Sequence, residues 1–277
     1  MSGAFLEQMA AASHARLQAA KRTLSEASLL EQARHTPAAP ALRLASDGFD
    51  LIAELKLHSP AAGPLGAADT DVAARAIAYA RSGAAAVSVL TEPQRFAGSL
   101  AHLTRAASAL APLGVPTMRK DFLVDPYQVL EARAAGAGGV LIILRMLSRE
   151  TIGALLDCAR VHGLFVLLEA FDAQDLELMH ELTAAHAGPT VLLAGVNCRD
   201  LTTLQVRAER LLELAPLLPA GVPRVAESGV ATAEDARRVA TAGYGLALVG
   251  SALMQSADPA TLAATLLAAG RGARQVR

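Results

Sequence analysis

The sequence predicts an α/β fold, a closed (β/α)8 or TIM barrel preceded by an N-terminal helical extension. Three observations predict it. Eight short apolar runs, near residues 51–55, 85–90, 115–119, 139–144, 164–169, 191–196, 223–226 and 246–249, read as strands. Ala/Leu/Glu/Arg stretches with helical spacing separate them, and this alternation implies parallel strands joined by right-handed crossovers. The repeat is about 28 residues, one βα unit, and eight such units in about 230 residues match the size of a closed barrel. An open doubly wound sheet is the alternative, but no Gly-rich dinucleotide turn follows the first strand.

Taken in order, residues 1–36 hold no Gly or Pro after Gly3 and are rich in Ala, Leu and Glu, which favours one or two helices. The run "HTPAAPAL" at 35–42 ends them, so 1–45 is expected as the extension and 46–277 as the barrel. Helices are expected over "VAARAIAYARSG" (72–83), "PYQVLEARAAGAG" (126–138) and "AEDARRVATAGY" (233–244), with Gly83, Gly136, Gly163 and Gly243 at helix C-termini. The run Asp125-Pro126 reads as an N-cap followed by Pro at the first helical position.

Composition excludes several classes. With 53% hydrophobic and 18% charged residues, the 277-residue chain can bury a large core of Ala, Val, Leu and Ile. A net charge of −1 and a pI near 6.7 lack the basic face that nucleic acid requires. Two distant cysteines, Cys158 and Cys198, argue against a disulfide framework and suit a reducing cytoplasm. No apolar run reaches the ~18 residues of a membrane span, and the N-terminus lacks a signal pattern.

Only three lysines stand against 22 arginines. Two of them, Lys56 and Lys120, sit at strand ends, and the third, Lys21, in the N-terminal helical stretch. Arg cannot release its proton, whereas Lys can once burial or neighbouring charge lowers its pKa, so lysines at strand ends point to proton chemistry. In a barrel the C-terminal strand ends build the active site. There the sequence also places Glu54, Glu169, Glu227 and Asn197. A strand-end Glu is either functional or an ion-pair partner that positions loops, and for Glu227 the two readings balance. Asn197 offers a donor and an acceptor without charge. Asp121 points to the opposite face as a structural residue, His58 reads as a solvated loop histidine, and Cys198 faces the outer layer. No HxH or HExxH spacing appears, so no metal site is expected. "ESGV" and "VGSAL" place Ser228, Gly229, Gly250 and Ser251 in the loops after strands 7 and 8, where barrels commonly bind phosphate through backbone N–H groups.

In order, "IAELKLHSP", "AVSVLTE", "FAGSL", "RKDFLVDPYQVLEARAAGA", "LLEAFD", "GVNCRDL", "AESGV" and "LVGSALM" closely resemble the indole-3-glycerol-phosphate synthase family of tryptophan biosynthesis, across about residues 50–255. The N-terminal helices resemble that family's extension, which packs over the barrel mouth. The resemblance implies a carboxy-lyase that closes the ring of 1-(2-carboxyphenylamino)-1-deoxyribulose 5-phosphate, with loss of CO2 and water, and without metal or organic cofactor. It implies that Lys120 is the general acid and that Glu169 and Glu54 handle the developing cation and the dehydration protons. Lys56 would pair with the substrate carboxylate or act as second acid. Asn197 and Glu227 would hold sugar hydroxyls. Ser59 and Arg199 would lie near the carboxylated ring, Phe96 and Phe122 against it, and Ser228, Gly229, Gly250 and Ser251 at the phosphate. A cytoplasmic monomer, or at most a weak dimer, is expected.

Three departures from the family pattern stand out. "KKASPSKG" has become "KLHSPAAG", with Leu57, His58, Ala61 and Ala62; a usual His is Phe171; and a usual Asn is Cys198. The changed first loop leaves open a paralogue acting on a substituted aryl sugar. A non-enzymatic phosphosugar binder would have lost a strand-end Lys or Glu, and none is lost. Phosphoribosylanthranilate isomerase and the tryptophan synthase α-chain share the fold, but neither accounts for "RKDF" together with Glu54 and Lys56.

Overall fold

The computed structural model describes residues 3–45, 48–65, 70–188, 190–200 and 203–275. The eight apolar runs form β1 (Asp50–Leu55), β2 (Ala86–Leu90), β3 (Thr117–Lys120), β4 (Gly139–Ile143), β5 (Phe165–Ala170), β6 (Leu192–Asn197), β7 (Arg224–Glu227) and β8 (Leu246–Val249). Each pairs in parallel with its successor, and β8 pairs with β1 to close the barrel. The expected helices form at Val72–Arg81, Pro126–Ala134 and Ala233–Thr241. Gly83, Gly136, Gly163 and Gly243 each lie just beyond a helix end with positive φ, where a Cβ would be strained.

Side-chain alternation along the strands separates two cores. Val87, Val140, Val166 and Ala226 face outward beneath the helices. Ile52, Met118, Leu167 and Val225, on alternate strands, face the lumen and pack with Leu141, Leu193 and Leu248. Two residues further along those same four strands stand Glu54, Lys120, Glu169 and Glu227. The lumen therefore changes from apolar to ionisable within one layer, at the C-terminal end.

Helices α1 (Gly3–Thr23) and α2 (Glu26–His35) lie against that end, and Ser25 caps α2 by accepting from the Ser28 N–H. Leu6 and Met9 of α1 join the lumen core. Leu17, Leu29 and Ala33 pack on Val124, Tyr127 and Leu130. Beyond α2 the chain follows the outside of helix Pro126–Ala134. Arg133 donates to the Thr36 and Pro37 carbonyls at 2.7 and 3.1 Å, and Thr36 Oγ1 donates to the Ala134 carbonyl at 3.2 Å. Leu42 then reaches the lumen core. The expected boundary at 45/46 touches Ser46, which lies outside the described residues, as does 66–69 of the first loop.

Among the small elements that were not expected, two lie beside the strand ends. A hairpin pairs His58–Ser59 with Gly63–Pro64, and Glu92 caps a one-turn helix, Pro93–Phe96. Both are too short for periodicity to reveal. Among the described residues, no helix is long and apolar enough to cross a membrane.

Candidate active site

The residues singled out in the sequence line one cavity of about 420 Å3 at the C-terminal strand ends. From β1 come Glu54, Lys56 and the loop residue Ser59. From β3 come Lys120 and Phe122, and from β5 Glu169. Asn197 and Arg199 enter from β6. Phe96 reaches in after β2, Glu227, Ser228 and Gly229 after β7, and Gly250 and Ser251 after β8.

The charges interlock. Lys56 Nζ lies 2.8 Å from Glu54 Oε1. Lys120 Nζ donates to Glu169 Oε2 at 3.1 Å and stands 3.6 Å from Glu227 Oε2. Glu54, Glu169 and Glu227 are all buried. Small residues make room for them: a Cβ on Gly250 would overlap Glu54 Oε1, and one on Gly195 would overlap Glu227 Oε1.

Burial disfavours the Lys120 ammonium, but Glu169, Glu227 and Glu54 outweigh it and raise its pKa above the ordinary lysine range. This corrects the expectation of a lysine with a lowered pKa: three carboxylates hold the proton on. Burial would raise Glu54, yet Lys56 and then Lys120 draw it below its ordinary value. Burial, followed by the neighbouring Glu169, pushes Glu227 well above the usual carboxylate range, and Lys120 offsets this only in part. Among the described residues, neither Glu227 oxygen accepts a hydrogen bond, and Glu169 beside it can only accept one from a protonated Glu227.

These opposite shifts carry opposite stability signs. Glu227 binds its proton more tightly in the native state, so its contribution favours folding at acid pH. That contribution is lost as pH rises from about 4.3 toward the raised native value. Glu54 stabilises above about 4.3 and loses that effect as pH falls through its lowered native value. Glu227→Gln is therefore expected to raise Tm at pH 8, by about 2–4 °C per kcal/mol relieved, and by less at pH 5. Glu54→Gln is expected to lower Tm at pH 8. Melting curves at the two pH values check both signs, and a Glu227→Gln variant less stable than the parent at pH 8 would contradict the raised pKa.

Other expectations are refined. Asn197 Oδ1 already accepts the Arg199 backbone N–H at 3.0 Å, so its amide nitrogen is the end left for a ligand. Arg199 itself donates to the Leu204 carbonyl at 2.7 Å. His58 stays partly exposed, as expected, but its Nδ1–H donates to the Arg95 carbonyl at 2.8 Å, tying the first loop to the second. Cys198 packs in the outer core, and burial pushes its thiol up to about 11, which removes it as a nucleophile. Asp121 is buried and bonded to Thr91, Arg16 and Arg119.

Sequence reasoning missed much of the apolar lining: Phe5 and Leu6 of α1, Leu141, Ile143, Phe171 and Leu248. Ile143 and Phe171 continue the inward parity of β4 and β5, a signal present in the sequence. Phe5 and Leu6 arrive from more than 40 residues upstream of the barrel, and no local pattern marks them.

A family model described as indole-3-glycerol phosphate synthase matches residues 6–266. An indole-3-glycerol phosphate synthase of Parafrankia sp. is 44% identical over 220 residues, covering 79% of this chain and 78% of the relative. That of Mycobacterium avium is 40% identical over 248 residues, 90% of this chain and 87% of the relative. Among solved structures, 3-hexulose-6-phosphate synthase from Salmonella typhimurium superposes with a TM-score of 0.59 at 14% identity, covering 79% of this chain and 97% of that one. Thiamine phosphate pyrophosphorylase from Pyrococcus furiosus gives a TM-score of 0.58 at 15% identity, covering 82% and 98%; these two likenesses concern the barrel alone. The chain belongs to the indole-3-glycerol phosphate synthase family, the carboxy-lyases of tryptophan biosynthesis.

Proposed function

We propose that this member of the indole-3-glycerol phosphate synthase family carries out the family's ring closure in the cavity described above. The observation that carries the proposal is the ionisable layer, with Lys120 between Glu169 and Glu227, facing Glu54 and Lys56. The substrate's phosphate would sit at Ser228, Gly229, Gly250 and Ser251. Its aryl ring would lie across the cavity against Phe96 and Phe122, with the carboxylate near Lys56, Ser59 and Arg199.

In that pose the ring carbon bearing the carboxylate attacks the sugar ketone. The carbonyl oxygen gains an electron pair and takes the Lys120 proton as the new C–C bond forms. The cation left on the ring and its nitrogen is stabilised by Glu54 and Glu169. Loss of CO2 returns the carboxyl bonding pair to the ring. The new hydroxyl then leaves as water, with one protonated group supplying its proton and a glutamate removing one from the ring system. Asn197 and Glu227 hold the sugar hydroxyls, a protonated Glu227 being able to donate as well as accept. Helix α1 serves as the cover: its Phe5 and Leu6 already form part of the cavity wall and exclude water from the developing cation.

The paralogue reading rests on the altered first loop alone, and the relatives' shared name favours the family reaction. We place the enzyme in the cytoplasm, in keeping with its free Cys158 and Cys198, as a monomer or at most a weak dimer. Incubating purified protein with the carboxyphenylamino sugar phosphate should give indole-3-glycerol phosphate, detected by indole fluorescence, and the gene should rescue a tryptophan auxotroph. Absence of indole product from folded enzyme would overturn the assignment.

A further inference from the structure

We infer that Phe171 is a specificity-determining residue, forming the wall that limits which substituents the substrate's aryl ring can carry. The inference rests on the proposed reaction and deepens it. Phe171 follows β5, two residues beyond Glu169, and its side chain therefore points to the same side as that carboxylate. It lines the cavity and packs in one apolar cluster with Leu6, Phe122 and Ile143. Phe96 and Phe5 border that cluster, each about 6 Å from the Phe122 ring. The cluster spans the β2–β5 side of the mouth, opposite the β7–β8 loops proposed for phosphate. A substrate with its phosphate on those loops directs its aryl end toward Phe171.

The ring is also held from behind. The Arg145 guanidinium stacks over it, 4.8 Å from the centroid. Arg145 is itself fixed by Asp175 at 2.8 and 2.6 Å and by Asp172 at 2.5 Å. Asp175 further accepts the Phe171 backbone N–H at 2.7 Å. Backbone and ring are thus tied to one aspartate, directly and through Arg145, so the wall is rigid before substrate arrives. A preformed apolar surface rewards an added methyl group and penalises a polar one, which would lose its water without gaining a partner.

The test is a ratio of kcat/KM values. Substrates carrying one methyl group at each open ring position are compared with the unsubstituted substrate, in wild type, Phe171→His and Phe171→Leu. Histidine keeps a flat ring of similar reach but adds polarity; leucine stays apolar. For at least one ring position, the methyl-to-parent ratio should fall about tenfold in Phe171→His and stay near the wild-type ratio in Phe171→Leu. Because both values in each ratio come from one preparation, the fraction of folded enzyme cancels. If Phe171→His fails to fold, hydroxylated substrates answer the same question in wild type and Phe171→Leu, which should both discriminate against them by about tenfold or more. Methyl-to-parent ratios in Phe171→His within twofold of wild type at every position, or equal use of hydroxylated and parent substrates by wild type and Phe171→Leu, would overturn the inference. Failure of the reaction assignment looks different: wild type would not turn over the unsubstituted substrate at all.

Discussion

Replacing Lys120 with arginine is expected to lower kcat by about two to four orders of magnitude, the usual worth of a positioned general acid, with the barrel intact. That corresponds to roughly 2.7–5.4 kcal/mol of transition-state stabilisation. Arginine preserves the charge that Glu169 and Glu227 pair with, so the variant isolates proton release from electrostatics. A tightly held proton is no obstacle here. The acceptor is the oxygen of a ketone becoming an alkoxide, basic enough as the C–C bond forms to take a proton even from a tightly held ammonium; the raised pKa gives up driving force and keeps the acid protonated. The three glutamates that raise the Lys120 pKa also keep the acid fully charged at neutral pH. Single-turnover measurements of product formation, with circular dichroism to confirm folding, check the outcome. Lys120→Ala should show a similar loss that added methylamine partly restores. A Lys120→Arg enzyme within tenfold of wild type would assign the proton to another group.

How much of this site can be read from the chain alone follows from where its information resides. Glu54, Lys120, Glu169 and Glu227 are each charged residues closing an apolar strand, and the strand period puts all four on the inner side; local pattern plus barrel closure locates them. Their protonation is not local. Lys120 meets Glu169 across 49 positions of sequence, and the direction of its pKa shift depends on three carboxylates brought by three different strands. That is why a reading from single segments had the direction reversed. The same distinction applies to the apolar wall. Phe171 obeys the β5 period and could be placed, whereas Leu6 reaches the lumen only because α1 docks on the barrel. The one-turn helix Pro93–Phe96 and the His58 hairpin are decided by individual caps and bonds, below the resolution of any periodic signal.

Asp121→Ala is expected to destabilise the fold strongly. Asp121 is buried and accepts four hydrogen bonds: from Thr91 Oγ1 at 2.7 Å, Arg16 at 2.7 Å, Arg119 at 3.2 Å and the Phe122 N–H at 2.8 Å. Removing one partner of a buried charge network costs about 3–5 kcal/mol. Arg119 retains Glu131 at 2.9 Å, and Arg16 retains Glu92 at 3.6 Å, so the lower end applies. At about 2–4 °C per kcal/mol, Tm should fall by roughly 6–12 °C. The residue also links two parts of the fold. Arg16 belongs to α1, whose Ser13 accepts a bond from Gln128 at 2.9 Å, while Asp121 directly follows Lys120. The cover and the proposed acid thus share one anchor. Arg16→Ala, which removes a half-buried partner, should lower Tm by only a few degrees while raising KM as α1 loosens over the aryl subsite. In the double variant, losing Arg16 should add little to either Tm or KM beyond Asp121→Ala, because both changes cut the same tie. Fully additive effects would mean that Arg16 holds α1 through Glu92 instead, and that docking of the cover is independent of the strand end carrying Lys120.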